Sequence, residues 1–206
     1  MRCAVVTYWH DLATICEELQ SFDKVFACEL AAKKLLESGI IIETIISDFD
    51  TIAMADITRI NNNTKIIKLS KAKDETDSRA LLTHVISQYP AATIVLYNAF
   101  DTRVDHALSL LSLFELSTHL IIKTPNTIIQ ELLSGVHLIA KNNNYPYISF
   151  IAIESVTNLT LNGFLYPLVN HKISPFSDLT VSNELLTEEG EVSFSNGRLL
   201  AIYSKD

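Results

Sequence analysis

Short apolar runs alternate with segments of helical periodicity through the first half of the chain, and this alternation restricts the fold more than any other feature. The apolar runs lie at 3–8, 24–28, 43–47, 64–69 and 92–97. The segments with helical spacing lie at 11–20, 29–39, 74–90 and 105–116. Repeated strand–helix units predict a parallel sheet covered by helices. We therefore predict an α/β domain over residues 1–123.

The pattern changes near residue 124, where helical spacing gives way to short strand-like runs. These lie at 127–132, 147–153, 159–168, 178–185, 191–196 and 198–204. Turn-forming residues separate them, at Asn142 to Asn144, Asn162-Gly163, Ser174-Pro175 and Asn196-Gly197. Val192 and Phe194 alternate with polar neighbours and are expected on one buried face. The whole chain is thus predicted as a Rossmann-like parallel sheet with helices, followed by an all-β sandwich or barrel domain over residues 124–206.

Charge and composition exclude several classes of partner. The formal net charge is -8, which argues against a nucleic-acid surface. No apolar run is long enough to span a bilayer, and His10 and Asp11 follow the N-terminus too soon for a signal peptide. Cys3, Cys16 and Cys28 are odd in number and lack metal-ligand spacing, so they are interpreted as buried free thiols. The expectation is a cytoplasmic protein with no nucleic-acid and no membrane partner.

Acidic residues follow the predicted strands, each at a strand-to-helix connection. They are Glu29, Asp48, Asp50, Asp74, Asp77 and Asp105. The carboxyl ends of parallel strands share one edge of the sheet, where ligands bind. So many carboxylates repel one another unless cations neutralise them. Mg²⁺ binds through one or two carboxylates together with substrate phosphates, so the pattern predicts a magnesium-dependent phosphate-transfer site.

Each of these residues, taken singly, also has an ordinary structural interpretation. Asp74 or Asp105 would cap a helix, Asp77 would be a first-turn acid, and Asp48 with Asp50 would form a turn. Basic residues nearby carry the same two alternatives. Arg103 would bind a phosphate through two hydrogen bonds or lie on the surface as a loop residue. Lys73 would reach a phosphate or remain solvated, and His106 would bind a phosphate, orient Asp105 or have no role.

Five short motifs, taken together and in order, are similar to those of a known family. They are "SDFDT" (47–51), "KDETD" (73–77), "TRVDH" (102–106), "GFLYPL" (163–168) and "SNE" (182–184). An Asp-x-Asp pattern alone is weak, because short motifs match often by chance. The order and spacing of all five resemble those of the thiamine pyrophosphokinase family over nearly the whole chain.

The resemblance implies a reaction and an assembly. Members of this family transfer a diphosphate group from ATP to the hydroxyl of thiamine and release AMP. They use Mg²⁺ and work as homodimers, with the active site between subunits. The N-terminal α/β domain holds the nucleotide and the metal, and the C-terminal β-sandwich contributes to the thiamine pocket.

The resemblance also assigns roles to residues of this sequence. The metal ligands would be Glu29, Asp48, Asp50, Asp74 and Asp77. The catalytic residues would be Asp77, Arg103 and Asp105, and the ATP phosphates would meet Lys73, Arg103 and His106. Ser182 and Asn183 match the pair that meets the thiamine pyrimidine. For these two residues the alternative is an ordinary turn after a strand.

The chain departs from the family motifs at several positions. Glu29 stands where the family has Asp. Other side chains replace glycines, namely Leu30, Ala31, Ser47, Asp101 and Thr102. Because glycine lets a backbone approach phosphate closely, these side chains would narrow the nucleotide pocket. Two alternatives to the kinase follow: a degenerate homologue that binds thiamine or its diphosphate without catalysis, and a purely structural dimerisation module.

Overall fold

A computed structural model describes residues 1–9, 11–50, 63–70, 75–98 and 104–206. The chain divides into two compact units, Met1–Thr124 and Pro125–Asp206. The first unit is mixed α/β and the second is built from strands. Within the described ranges, no helix is both long and apolar enough to cross a bilayer.

The first unit contains a parallel sheet. Its strands are β1 (Arg2–Tyr8), β2 (Lys24–Ala27), β3 (Thr44–Ser47), β4 (Lys65–Lys68), β5 (Thr93–Asn98) and β6 (Leu120–Lys123). Their order is β6-β5-β1-β2-β3-β4, and neighbouring strands pair in parallel. The chain runs outward from β1 to β4 and then returns to β5 on the other side. The order of the strands therefore reverses between β1 and β5.

Helices lie at the four predicted positions, with bounds that differ from the predicted ones by a few residues. They are α1 (Ala13–Leu19), α2 (Glu29–Glu37), α3 (Asp77–Gln88) and α4 (Val104–Leu111). The segment predicted as one helix over 105–116 is α4 followed by a 3₁₀ turn over Ser112–Glu115. The apolar faces of α1 and α2 pack on β1 and β2 around a buried cluster that includes Ile15, Leu35 and Val25.

The cysteines are free, as the sequence predicts. Cys3 and Cys28 are buried, and burial raises the pKa of the Cys3 thiol. Cys16 is half-buried and its thiol donates to the carbonyl oxygen of Leu12. The thiolate is the reactive form of cysteine, so burial lowers the reactivity of the Cys3 thiol.

The second unit is antiparallel. Its strands are β7 (Thr127–Ala140), β8 (Tyr147–Ala152), β9 (Val156–Asn162), β10 (Leu168–Ile173) and β11 (Glu189–Ser204). They are ordered β10-β9-β11-β7, and β8 pairs with β11 as well. Val192 and Phe194 are buried in the core of this unit, so the predicted alternation over these residues is confirmed.

A bulge in β11 corrects one prediction. Asn196-Gly197 does not separate two strands, because β11 continues through it with a register shift between Phe194 and Arg198. Gly197 has φ of 96°, and a Cβ there would collide with the carbonyl oxygen of Ser155. One edge of β11 pairs with β7, and the other edge pairs with two strands, β9 along its first half and β8 along its second half.

The predicted strand over 178–185 is wrong. Residues 178–182 form turns and bends, and only single bridges join Asn183 to Ile148 and Leu185 to Phe164. Conversely, β6 is a strand that the sequence pattern did not reveal. It is four residues long and immediately precedes the position where the pattern changes.

A buried carboxylate pairs with an arginine beside the bulge. The side chain of Glu131 on β7 is 0% exposed, and its Oε1 accepts a hydrogen bond from Nε of Arg198. Glu154 lies 3.6 Å from the same guanidinium. The hydrogen bond to Glu131 raises the pKa of Arg198. A charge buried in this way depends on its partner, because an unpaired ion away from water is costly.

Candidate active site

A cavity of about 460 Å³ opens at the carboxyl edge of the parallel sheet. It is lined by Thr7, Tyr8, Cys28, Glu29, Leu30, Ser47, Asp48, Asp50, Thr76, Asp77, Ser78, Asn98 and His106. The carboxyl ends of β1, β3 and β5 contribute, together with residues that follow β2, β3, β4 and β5 in the chain. The cavity therefore occupies the switch point of the strand order, where open α/β sheets bind ligands.

Two polar side chains lie at the switch point itself and form a hydrogen bond with each other. Asn98 ends β5 and donates from Nδ2 to Oγ1 of Thr7 near the end of β1, at 2.8 Å. The Thr7 hydroxyl lies 3.2 Å from the carbonyl oxygen of Tyr97 and donates to it. Neither Thr7 nor Asn98 was expected as a site residue. The only signal for them in the sequence is a polar residue at the end of an apolar run.

The Ser47 hydroxyl lies between two of the acids. Its Oγ is 3.1 Å from Oε2 of Glu29 and 3.0 Å from Oδ2 of Asp77. Ser47 is 1% exposed, and Glu29 is also buried. Three elements meet at this hydroxyl, since Ser47 ends β3, Glu29 begins α2 and Asp77 begins α3. Acids that are far apart in sequence are thus held in one place.

Asp48 and Asp50 flank a residue with an unusual backbone. Phe49 has φ of 55°, a region that costs a bulky residue of order 1–3 kcal/mol and is found most often at functional sites. Its ring packs against the apolar core. Asp48 and Asp50 both line the cavity on either side of it. The strained backbone of Phe49 therefore lies between two acids that both line the cavity.

The carboxylates form a set of oxygen donors suited to a hard cation. One oxygen each from Glu29, Asp48 and Asp50 lies within 4.8 Å of the other two. The Ser47 hydroxyl, which lies within hydrogen-bond distance of both Glu29 and Asp77, links Asp77 to this group. Mg²⁺ prefers oxygen ligands of this kind, so the donor set fits the metal that the sequence predicts.

Two helices begin at the cavity. Glu29 is the first residue of α2, and Asp77 is the first residue of α3. The N-cap of α3 is Thr76, whose Oγ1 accepts from the backbone N–H of Arg79 at 3.3 Å. Helix N-termini carry partial positive charge and free N–H groups, which favour carboxylates and phosphates. The cavity can therefore take an anionic ligand despite its acids.

The remaining predicted residues of this unit are only partly described. His106 lines the cavity from the first turn of α4, whereas the neighbouring Asp105 is exposed and is not among the lining residues. Lys73, Asp74 and Arg103 lie outside the described residues, as do Asp101 and Thr102.

Ser182 and Asn183 lie in the second unit and differ in environment. Asn183 is 1% exposed, and its side chain forms hydrogen bonds with the backbone of Tyr166 and Glu184. Ser182 is exposed with φ of 55°, and its N–H donates to Oγ of Ser149 at 2.9 Å. Asn183 thus fixes a loop on which Ser182 is presented to solvent.

Fold and cavity define a class of protein: an α/β unit with carboxylates around the switch point of a parallel sheet, followed by a β unit. Two family models match the chain. Residues 16–123 match the thiamin pyrophosphokinase catalytic domain, and residues 136–199 match the thiamin pyrophosphokinase vitamin B1 binding domain. The chain belongs to the thiamin pyrophosphokinase family, as its motifs predict.

Individual relatives agree with this assignment. Thiamine pyrophosphokinase of Bacillus subtilis (strain 168) is 35% identical over 180 residues, which is 84% of this chain and 83% of that protein. The crystal structure of thiamine pyrophosphokinase from Bacillus subtilis superposes with a TM-score of 0.86 at 28% identity, covering 100% of both chains. Thiamin pyrophosphokinase from Geobacillus thermodenitrificans gives 0.84 at 27% identity, covering 100% of this chain and 98% of that one.

Proposed function

We propose that the chain is a thiamine diphosphokinase, which transfers a diphosphate group from ATP to the hydroxyl of thiamine and gives thiamine diphosphate and AMP. One observation carries the proposal. Glu29, Asp48 and Asp50, with one oxygen each within 4.8 Å of the other two, fall inside the segment that matches the family's catalytic domain. The departures from the family motifs leave these carboxylates together.

Mg²⁺ is the cofactor that this donor set supports. Glu29, Asp48 and Asp50 would hold it, with Asp74 and Asp77 as the further ligands that the motifs assign. When bound, the cation neutralises negative charge on the phosphates of ATP. The protein carboxylates therefore serve the reaction by placing that positive charge beside the substrate.

The thiamine hydroxyl attacks the β-phosphorus of ATP, its proton passes to a carboxylate of the site or to water, and the bond between the β-phosphorus and the oxygen that stays on AMP breaks. Chemistry of this kind depends on positioning and charge stabilisation. The N-termini of α2 and α3 border the cavity and favour the triphosphate. Lys73, Arg103 and His106 would bind the phosphates, and Asp105 would orient the hydroxyl or accept its proton. The sheet would act as a Rossmann-like nucleotide unit.

Thiamine recognition is assigned to the second unit. Ser182 is the exposed member of the Ser182-Asn183 pair, so its hydroxyl is the group available to a ligand. Asn183 would act by holding the loop, because its amide oxygen accepts from two backbone N–H groups and its Nδ2 donates to the Tyr166 carbonyl.

Product analysis tests the reaction. Purified chain incubated with ATP, Mg²⁺ and thiamine is expected to form AMP and thiamine diphosphate in equal amounts, because the transfer releases one AMP for each diphosphate moved. Chromatography with fluorescent detection of oxidised thiamine diphosphate measures the product. Thermal stabilisation by thiamine without any product would instead identify a binding protein, and ADP in place of AMP would exclude diphosphate transfer.

A homodimer in the cytoplasm is the proposed state of the protein. Large apolar side chains are exposed on the second unit, including Val136 at 68% and Leu138 at 69% on β7. Exposed apolar patches mark interaction surfaces. Sedimentation equilibrium is expected to give twice the 23.0 kDa chain mass, and a single-chain mass at micromolar concentration would rule the dimer out.

The proposed cytoplasmic location agrees with the cysteines, which form no disulfide and are largely buried, as suits a reducing compartment. Cell fractionation would test the location.

A further inference from the structure

The Ser47 hydroxyl is in an unusual position for a buried serine. A buried hydroxyl needs one acceptor for its single proton. Oγ of Ser47 instead has two carboxylate oxygens within hydrogen-bond distance, from Glu29 and Asp77. The backbone N–H of Phe49 points at the same oxygen from 3.4 Å. These three contacts of the hydroxyl thus come from residues that line the cavity or lie next to it in the chain.

The arrangement joins two departures from the family motifs. Ser47 adds a hydroxyl where the motif has glycine, and Glu29 extends its carboxylate by one methylene where the motif has aspartate. The longer arm of Glu29 meets the added hydroxyl at 3.1 Å. The two changes are therefore in direct contact, so each one affects the geometry of the other.

We propose that Ser47 is a positioning residue of the phosphate-transfer site, whose hydroxyl sets the orientation of the Glu29 and Asp77 carboxylates toward the bound cation. This inference rests on the proposed function. In this role Ser47 acts through the two acids and not by binding the substrate or the cation itself. Groups that orient metal-binding side chains in this way typically contribute 10–100-fold to metal affinity or activity.

A double-mutant cycle on Ser47 and Glu29 tests the contact. Mn²⁺ serves as the probe, and its binding is measured by electron paramagnetic resonance without nucleotide, so the readout does not depend on turnover. Ser47→Ala and Glu29→Asp are each expected to weaken Mn²⁺ binding by about tenfold or more. The double variant should lose much less than the two single losses combined, because both changes break the same hydrogen bond.

Thr44→Val is the matched control, since Thr44 is a buried hydroxyl residue at the opposite end of the same strand. It is expected to leave Mn²⁺ affinity unchanged. A steady-state assay adds a second readout: Ser47→Ala should raise the Mg²⁺ concentration that gives half-maximal activity, while kcat at saturating Mg²⁺ recovers. A lower melting temperature of Ser47→Ala than of wild type in EDTA would mean that the variant is destabilised. In that case Ser47→Cys replaces it in the experiment, because cysteine keeps the shape of the side chain and has a weaker hydrogen-bond donor.

Wild-type Mn²⁺ affinity in Ser47→Ala, or strictly additive losses in the cycle, would overturn the role of Ser47 and leave the proposed function intact. A wild-type chain that binds no Mn²⁺ would have a different meaning, because it removes the metal from the proposed function and this inference with it. A loss in Ser47→Ala that is matched by Thr44→Val would show a general packing effect and would also overturn the proposal.

Discussion

Asp77→Asn is expected to lower kcat by about 10²–10³, the usual cost of removing one preorganised electrostatic contact from a reaction centre. Asp77 begins α3, lines the cavity and has its Oδ2 3.0 Å from the Ser47 hydroxyl. Asparagine has the same shape and still offers an oxygen to Ser47. The substitution therefore removes the negative charge and leaves the packing nearly unchanged.

Steady-state kinetics with saturating ATP, thiamine and Mg²⁺ measure the effect. Glu37→Gln is the control, because it removes the same charge from the exposed end of α2, away from the cavity. It should retain wild-type kcat, and both variants should melt near the wild-type temperature. An Asp77→Asn enzyme with nearly full kcat would remove this carboxylate from the mechanism.

Arg198→Ala is expected to lower the free energy of unfolding of the second unit by about 3–5 kcal/mol, because it leaves a buried carboxylate without its partner. The Glu131 side chain is 0% exposed and the Arg198 side chain 25% exposed. The same change removes an arginine beside the bulge of β11, where strand pairing is already interrupted. Loss of the ion pair and loss of packing therefore act in the same place.

Urea denaturation followed by far-ultraviolet circular dichroism measures the loss, and hydrogen exchange of the β7 and β11 amides assigns it to the second unit. Lys24→Ala is the control. It breaks the pair with Glu43, whose side chain is 44% exposed, and exposed pairs contribute only about 0–1 kcal/mol. Equal losses of unfolding free energy in both variants would show that the burial of Glu131 does not increase the cost of removing its partner.

The sheet of the first unit was predictable because each of five strands is an apolar run bounded by polar segments. The second unit was harder, and the segment 178–185 shows why. Leu179 and Val181 alternate with polar residues as in a strand, yet they are 53% and 47% exposed, whereas Thr180 and Asn183 are buried. Thr180 donates to the Phe150 carbonyl, and Asn183 bonds to Tyr166. These hydrogen bonds allow the polar side chains to be buried while the apolar ones are exposed, which is the opposite of the pattern that hydrophobicity predicts.

The acids of the cavity are predictable from the sequence, because strand–helix alternation places Glu29, Asp48, Asp50 and Asp77 at one edge of the sheet. Thr7 and Asn98 are not predictable in this way, because their contact depends on β1 and β5 being neighbours. Strand order is a property of the whole fold, and no local pattern encodes it. In the sequence Ser47 is only the replacement of a motif glycine, whereas in the folded chain two carboxylates lie within hydrogen-bond distance of its hydroxyl.

Trp9 is the only tryptophan in the chain. It is 7% exposed, meets the Tyr97 ring edge-on at 5.6 Å and donates from Nε1 to Oγ1 of Thr14. Its neighbour Tyr8 lines the cavity. The intrinsic indole emission of this protein therefore comes from one site in the first unit, a single residue away from the cavity wall, and gives a built-in optical signal for events there without any attached dye.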